Sequence, residues 1–437
     1  MRRVKTLLFL GIRGSNSMPV GELFKPVYAG GMEIFMKLTV AIVGCGAFAE
    51  NFVPLFKCHP YVEKVYVCDI LREKAEEYSK KFDVEIIGTF EQVLERTDIN
   101  CIANFTQRHK HGEIVTRALK AGKNVYSAVP MASTVEECQQ IVELVKDTKL
   151  IYMMGETCYY YPCAMYCREA YQKGIFGKFE YGASQYYHHI DAISYGKRKG
   201  EGGMPPLLYP THSTGMILSA VGSYATEVVC MGYSGNEKYK DRFSKGNNHW
   251  DNEFSNQYVF MRLENGGVAR VTEARTFGWM KPSSYISALY GSDGGYEFSN
   301  AQHIVVQKDW ESEKERVKLT DVSDYVNSLG MVENKNLPDF KNRVANGEWQ
   351  WDDIARVQQK EMERLPKEFA AEPNGHMGTH KFLIDDFCKA VYLHEMPVLN
   401  AWTAARYTIP GLVAIESSNK GGVPIKVPDC GEAPEKL

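Results

Sequence analysis

The chain has 437 residues, 44% of them hydrophobic, and 51 Lys plus Arg against 54 Asp plus Glu give a formal charge of −3. At roughly 150 residues per domain this length supports two or three domains, each able to bury a core without metal or disulfide staples. The balanced charge, with no cluster of Lys and Arg, excludes a nucleic-acid or membrane-surface protein, and no apolar run approaches the ~18 residues that a membrane-spanning helix needs.

Eleven cysteines, an odd number without a C-x-x-C pair, read as reduced thiols of a cytoplasmic enzyme. The densest patch, Cys158, Cys163 and Cys167, matches no zinc or iron–sulfur spacing and reads as core thiols. At the amino terminus, Arg2, Arg3 and Lys5 precede the short apolar run Leu7 to Leu10. Arg13 follows, and no small-residue cleavage site appears, which argues against an export signal. Residues 1–36 are therefore expected to be a disordered or non-native leader, with translation starting at Met32 or Met36.

From Lys37 to about Leu150 short apolar strands alternate with helical patterns, as in a parallel, doubly wound sheet. Leu38 to Val43 is a strand that runs into Gly44-Cys45-Gly46-Ala47-Phe48-Ala49, a G-x-G-x-x-A turn, and then a helix through Phe56. Gly44 would make the tight turn, Gly46 would let a pyrophosphate approach the backbone, and Ala49 would let the helix pack closely; Ala47 and Phe48 complete the anion-facing turn. A second strand ends in Asp69, 25 residues after Gly44, where a carboxylate can accept from a ribose diol. That favours NAD over NADP, while Arg72 keeps a 2′-phosphate partner in play. Further strands are expected at Glu85 to Ile87, Cys101 to Asn104 and Asn124 to Ser127, with helices at Arg72 to Phe82, Glu91 to Glu95, His111 to Ala121 and Val135 to Thr148.

Asn104-Phe105-Thr106 with His111 five residues on, Ala121-Gly122-Lys123-Asn124-Val125 and a strand-end Pro130 follow the glycine turn and Cys68-Asp69. In this order the motifs resemble the Gfo/Idh/MocA family (glucose–fructose oxidoreductase, inositol dehydrogenase and rhizopine catabolism) over almost the whole chain after Met36. The resemblance implies that Thr106, His111, Val129 and Pro130 lie along the cofactor. It also exposes a departure: ordinary dehydrogenases of the family end this strand in Glu-Lys-Pro, and here the tripeptide is Ala128-Val129-Pro130. Valine cannot exchange a proton, so the base lies elsewhere or the dehydrogenase activity is lost. The Val-Pro form looks like a subset that includes NAD-dependent glycosidases, which implies a retained cofactor and a cycle of oxidation, elimination, water addition and reduction.

After Met153-Met154-Gly155 the period falls towards two. Strands are expected at Glu180 to His188, Ala225 to Tyr233, Asn256 to Leu263, Val268 to Thr276 and Ser284 to Gly291, forming a largely antiparallel open sheet. The expected division is 37–154 for a Rossmann domain and 155–437 for an α+β substrate and oligomerisation domain. Within the latter, 307–372, charged and helix-like with Trp310, Trp349 and Trp351, reads as an insertion, and 376–437 as a returning segment. The chemistry is expected at Tyr209-Pro210-Thr211-His212. A histidine can accept a carbinol proton and a neighbouring phenol can relay one, together replacing the missing lysine. This string also resembles the NAD-dependent glycosidases. Glu156, Tyr160, one of His188 and His189 (assigned to His189), Asp191 and His376 are the expected substrate contacts, because phenols and polar groups suit a sugar. No metal is expected, since these ligand types lack a fixing spacing.

The sequence thus points to an enzyme that uses NAD on a secondary carbinol of a sugar or glycoside, with net redox-neutral glycoside cleavage as the leading reading. A sugar or polyol dehydrogenase releasing NADH, and a non-catalytic NAD-binding sensor, are the alternatives. A homo-oligomer, dimer or tetramer, is expected from the resemblance and from the need to cover the open sheet face.

Overall fold

In the computed structural model the described residues are 27–29, 32–34, 36–190, 202–235, 237–277, 283–298, 303–308, 317–323, 326, 364–370, 372 and 375–435. The chain forms two units, Met1–Phe35 and Met36–Leu437. In the first, β1 (Val27–Ala29) pairs antiparallel with β2 (Met32–Ile34).

The second unit opens with a parallel six-stranded sheet: β3 (Leu38–Val43), β4 (Val62–Cys68), β5 (Glu85–Ile86), β6 (Cys101–Asn104), β7 (Asn124–Ser127) and β8 (Tyr152–Met154). Its order is β5-β4-β3-β6-β7-β8. The connecting helices are α1 (Val53–Cys58), α2 (Arg72–Phe82), α3 (Phe90–Glu95), α4 (His111–Lys120) and α5 (Val135–Thr148). Central strands such as β6 and β7 are buried at every residue, which is why they read as apolar runs without alternation. Helix starts are written in the sequence: Thr89 and Gln92 form a reciprocal capping box on α3, and Thr134 accepts from the Glu137 N–H on α5. The strand order reverses between β3 and β6, so a ligand crevice opens beyond the carboxyl ends of Val43 and Asn104.

A nine-stranded mixed sheet follows: β9 (Phe179–Tyr187), β10 (Ala225–Tyr233), β11 (Asn256–Leu263), β12 (Val268–Ala274), β13 (Ser284–Gly291), β14 (Gly294–Phe298), β15 (His303–Lys308), β16 (Val317–Asp321) and β17 (Ile425–Lys426). Its order is β16-β15-β14-β13-β9-β12-β11-β10-β17, antiparallel at every pairing except β9 with β12. The helices here are α6 (Pro162–Gln172), α7 (Thr211–Val221), α8 (Lys367–Ala370), α9 (Thr379–Leu393) and α10 (Ala401–Asn419). Helix α7, buried at every residue, packs on β9, β12 and β13, while α10 packs against α5, α7 and β10 and joins the two sheets. Met231, Tyr233 and Phe260 stay exposed on β10 and β11.

One sequence expectation needs correction. The stretch 307–372 does not begin as helix: β15 runs to Lys308, and Val317–Asp321 extends the sheet because Val317 and Leu319 alternate with Lys318 and Thr320. Most of that stretch, with Trp310, Trp349 and Trp351, lies outside the described residues. The short apolar Tyr152–Met154, at the end of the stretch 37–154, is the sixth strand of the parallel sheet. Among the described residues no helix is long and apolar enough to cross a membrane.

Candidate active site

The glycine turn has the shape that a dinucleotide needs. Gly44 has φ +96°, and a Cβ there would meet the Phe105 carbonyl carbon and oxygen at 2.7 Å and the Thr106 nitrogen at 2.9 Å. Glycine is therefore required by both conformation and contact. At Gly46 a Cβ would find nothing within 4 Å, so this position opens onto free space. Among the described residues the N–H groups of Gly46, Ala47 and Phe48 have no protein acceptor, while the Ala49 N–H donates back to Gly46 O at 2.9 Å. Donors left over beside an open glycine make an anion cradle. Asp69 braces it: Oδ2 accepts from the Cys45 N–H at 2.7 Å and Oδ1 from the Leu71 N–H at 2.8 Å. Arg72 is exposed and its Nε donates to Glu76 at 2.8 Å. These residues fit a bound dinucleotide, held by the 44–49 turn with Asp69 at the ribose end.

Thr106 donates from N and Oγ1 to Asn104 Oδ1, shaping the loop after β6. His111 sits behind this loop and the next, with Nδ1 2.7 Å from Pro130 O and Nε2 3.1 Å from Thr106 O, so it ties the two loop ends together. Val129 is buried and joined to Pro130 by a cis peptide bond.

Three expected residues meet in one relay. His212, in the first turn of α7, places Nδ1 2.6 Å from Glu156 Oε1 and Nε2 2.7 Å from the Tyr209 hydroxyl. Glu156 is fully buried, and the same Oε1 accepts from the Cys158 N–H at 2.8 Å. Burial pushes the Glu156 carboxyl up, but the adjacent His212 charge and hydrogen bonds outweigh it and hold the carboxyl below its usual range. An ionised Glu156 accepts the Nδ1 proton, which leaves Nε2 with a lone pair for the Tyr209 hydroxyl. The Tyr186 ring packs on His212 at 4.9 Å, and the Arg108 guanidinium lies 4.4 Å over the Tyr209 ring. A cation on that face stabilises negative charge developing on the phenol oxygen.

The loop is fixed from behind. Thr214 Oγ1 donates to Pro210 O and Tyr407 O, and Gly411 on α10 lets Pro210 approach so closely that a Cβ would lie 2.4 Å from Pro210 Cβ. Gly215 likewise seats α7 against Glu156, whose Cγ would be 3.3 Å from an added Cβ.

The other expected contacts distribute differently. Of the histidine pair, His188 joins the cluster: it shares the Tyr186 face of the chain, its ring is 5.3 Å from Tyr186, and burial, then Arg275, His212, Arg108 and His376, bring it down to about 3. His189 turns instead to Tyr239, whose hydroxyl is 3.4 Å from Nε2. Period two from Tyr186 thus places His188, rather than the expected His189, beside Tyr186 and His212. Tyr160 is 6% exposed and its hydroxyl donates to Asp386, with Arg364 Nη2 3.4 Å away, which makes it part of the packing against α9. His376 lies against the cofactor turn, its ring 5.4 Å from Phe48. Asp191 lies outside the described residues.

Glu156, Cys158 and His212 each offer a ligand atom within 4.8 Å of the others, a set that could hold a metal ion. Against that use, Glu156 and His212 already bond each other, and the Glu156 oxygen in that bond also accepts from the Cys158 N–H. Cys163 and Cys167 are buried free thiols.

Sequence reasoning missed Glu273, Arg275 and Arg108. Glu273 is fully buried in β12, with Arg275 Nη2 donating to Oε2 at 2.9 Å and Ser213 Oγ donating to Oε1. The available signal was phase: Ala269, Val271 and Glu273 alternate inward on one strand, and a charge on the inward phase of a core strand requires a partner.

Comparison with known proteins defines the class first. Residues 38–156 match the family model described as oxidoreductase family, NAD-binding Rossmann fold. That stretch carries the NAD-binding domain of the Gfo/Idh/MocA oxidoreductases. The chain is similar to a glycosyl hydrolase family 109 protein of Streptomyces filamentosus, 24% identical over 418 residues that cover 89% of this chain and 76% of the relative. An alpha-N-acetylgalactosaminidase of Bacteroides fragilis is 29% identical over 142 residues, 29% of this chain and 33% of the relative. The fold is that of levoglucosan dehydrogenase in complex with NADH and levoglucosan, with TM-score 0.67 and 18% identity over 90% of this chain and 99% of that one.

Proposed function

We propose that this protein is a carbohydrate enzyme with a retained NAD, cleaving a glycoside without net oxidation. The observation that carries the reading is the Glu156–His212–Tyr209 relay in a chain whose strand end is Val129. The similarity to glycosyl hydrolase family 109 proteins along 89% of the chain supports it, and the name of the Bacteroides fragilis relative suggests an N-acetylgalactosaminide substrate.

Bound NAD would supply reversible oxidation of a secondary carbinol of the sugar. The chain's own residues move the protons. Tyr209 accepts the carbinol proton as its own passes to His212 Nε2, and Glu156 stabilises the imidazolium that results. Oxidation acidifies the neighbouring C–H, so a modest base suffices to expel the aglycone, and no pair of glycosidase carboxylates is needed. Water addition, followed by return of the hydride to the carbonyl carbon and of the proton to its oxygen through the relay, would complete the cycle. His188, held neutral, serves as a hydrogen-bonding group for a sugar oxygen. No metal is required by this scheme. Asp69 at the ribose end supports NAD over NADP. The free thiols suit a reducing compartment such as the cytoplasm, and exposed Met231, Phe260 and Tyr233 mark the sheet face through which a homo-oligomer would pack.

The test is to denature the purified protein and quantify released nucleotide, then to incubate native protein with p-nitrophenyl glycosides while watching the nicotinamide band. About one NAD per chain, with p-nitrophenol released and no lasting NADH, supports the proposal. NADH accumulating in step with added NAD assigns a dehydrogenase using the same relay. Nucleotide binding without turnover on any sugar assigns a sensor.

A further inference from the structure

We propose that Glu273 and Arg275 are positioning residues that clamp both ends of the segment 206–213 behind the Tyr209–His212 pair, an inference that rests on that pair's proposed proton-transfer role. The Glu273–Arg275 pair makes no direct hydrogen bond to Glu156, His212 or Tyr209 among the described residues. A buried ion pair is commonly replaceable by well-packed apolar residues of similar volume, so burial gives no structural reason for charge here. The contacts give a different reason. Ser213, next to His212, donates its hydroxyl to Glu273, while its carbonyl accepts from Ser184 on β9 at 2.6 Å. Arg275 Nη2 donates to Glu273 at 2.9 Å and to Pro206 O at 3.1 Å, at the start of the turn that carries Tyr209. Its guanidinium also lies 5.1 Å over the Tyr186 ring, which packs on His212. One acid and one base thus hold the two ends of the loop and the wall beside it.

The charge faces a defined set of groups. Arg275 lies just beyond its own strand and Ser213 and His212 lie on α7, while Tyr186 on β9 and His188 after it face Arg275 and His212. Burial pushes the Glu273 carboxyl up to about 7, with Arg275 and Ser213 opposing the rise. Glu273 therefore gains its negative charge around neutrality, one residue from the imidazole of the relay, and that charge favours the imidazolium formed during turnover.

The experiment reads the relay without requiring activity. The proton shared by His212 Nδ1 and Glu156 should give a far-downfield proton resonance, identified by its loss in His212→Asn. In the NAD-loaded wild type this resonance should shift with pH in a step centred near 7, and in Glu273→Gln the step should vanish. Ser213→Ala keeps the carboxyl and removes one bond to its anion, so it should move the step to higher pH; this variant carries the test if Glu273→Gln does not fold. Where glycoside turnover is found, Glu273→Gln should lower kcat about 10- to 100-fold with KM little changed. A step that persists in Glu273→Gln, or a resonance indifferent to pH in the wild type, overturns the clamp. A step present without glycoside turnover counts against the proposed function alone, and turnover present without the step counts against the clamp alone.

Discussion

Replacing Glu156 by Gln keeps the shape of the buried side chain and removes the charge on which the relay depends. Oε1 accepts both the Cys158 N–H and the His212 Nδ1–H, at 2.8 and 2.6 Å, so an amide whose oxygen keeps the backbone bond is a weak acceptor for the imidazole. A hydrogen bond to a charged partner contributes about 1.5–3 kcal/mol, which alone is roughly a 10- to 100-fold loss. An amide that turns its NH2 towards Nδ1 would also force the other tautomer and place a proton on Nε2, where the Tyr209 hydroxyl must donate. Together these predict a fall in kcat of about 10²- to 10⁴-fold, the range of a general base, with NAD content at the wild-type level. The assay is steady-state release of p-nitrophenol from the active glycoside, beside nucleotide released on denaturation. A variant with kcat within a factor of ~3 of wild type would refute the relay.

Three further outcomes follow from the same contacts. Gly46→Val should copurify without nucleotide and melt at the temperature of nucleotide-stripped wild type, because its Cβ enters open space where the pyrophosphate would lie; a melting temperature that falls with NAD retained would contradict this. Gly411→Ala should cost about 1–3 kcal/mol by overpacking and depress turnover through Tyr209, because its Cβ would lie 2.4 Å from Pro210 Cβ and 2.7 Å from Leu207 O; denaturant unfolding with parallel kinetics checks both. Glu273 has its carboxyl raised from 4.5 to about 7, so its neutral form is the one the fold favours. Its contribution is complete below pH 4.5 and is lost as pH rises towards 7, so Glu273→Gln should flatten that part of the stability profile in pH-dependent melting.

The fold was legible wherever one period dominated. β3, β6, β7, β10, β11 and β13 and helices α2 and α5 carry the bounds expected from the sequence; Gly44 closes β3, Asp83 follows α2 and Thr134 caps α5. β15 and β16 were not legible, since Lys308, Lys318 and Asp321 end or interrupt their apolar residues in the sequence. In the site, the spacing of Tyr209 and His212 exposed the proton pair, and Glu156 follows β8 at the point where the chain leaves the Rossmann sheet. Glu273 could not be attached to them, because 60 residues separate it from Ser213 and the pairing of β9 with β12 brings them together. Tyr160 shows the converse: a phenol in a sugar-like run whose hydroxyl is engaged by Asp386, on a helix 226 residues later.

The most direct test of the central claim is to follow aglycone release and nicotinamide absorbance together in purified protein given an aryl N-acetylgalactosaminide and no added NAD. The account predicts many turnovers per chain with no lasting NADH, and loss of those turnovers in His212→Ala with NAD still bound. NADH formed once per chain and then arrested, or turnover undiminished in His212→Ala, would contradict it.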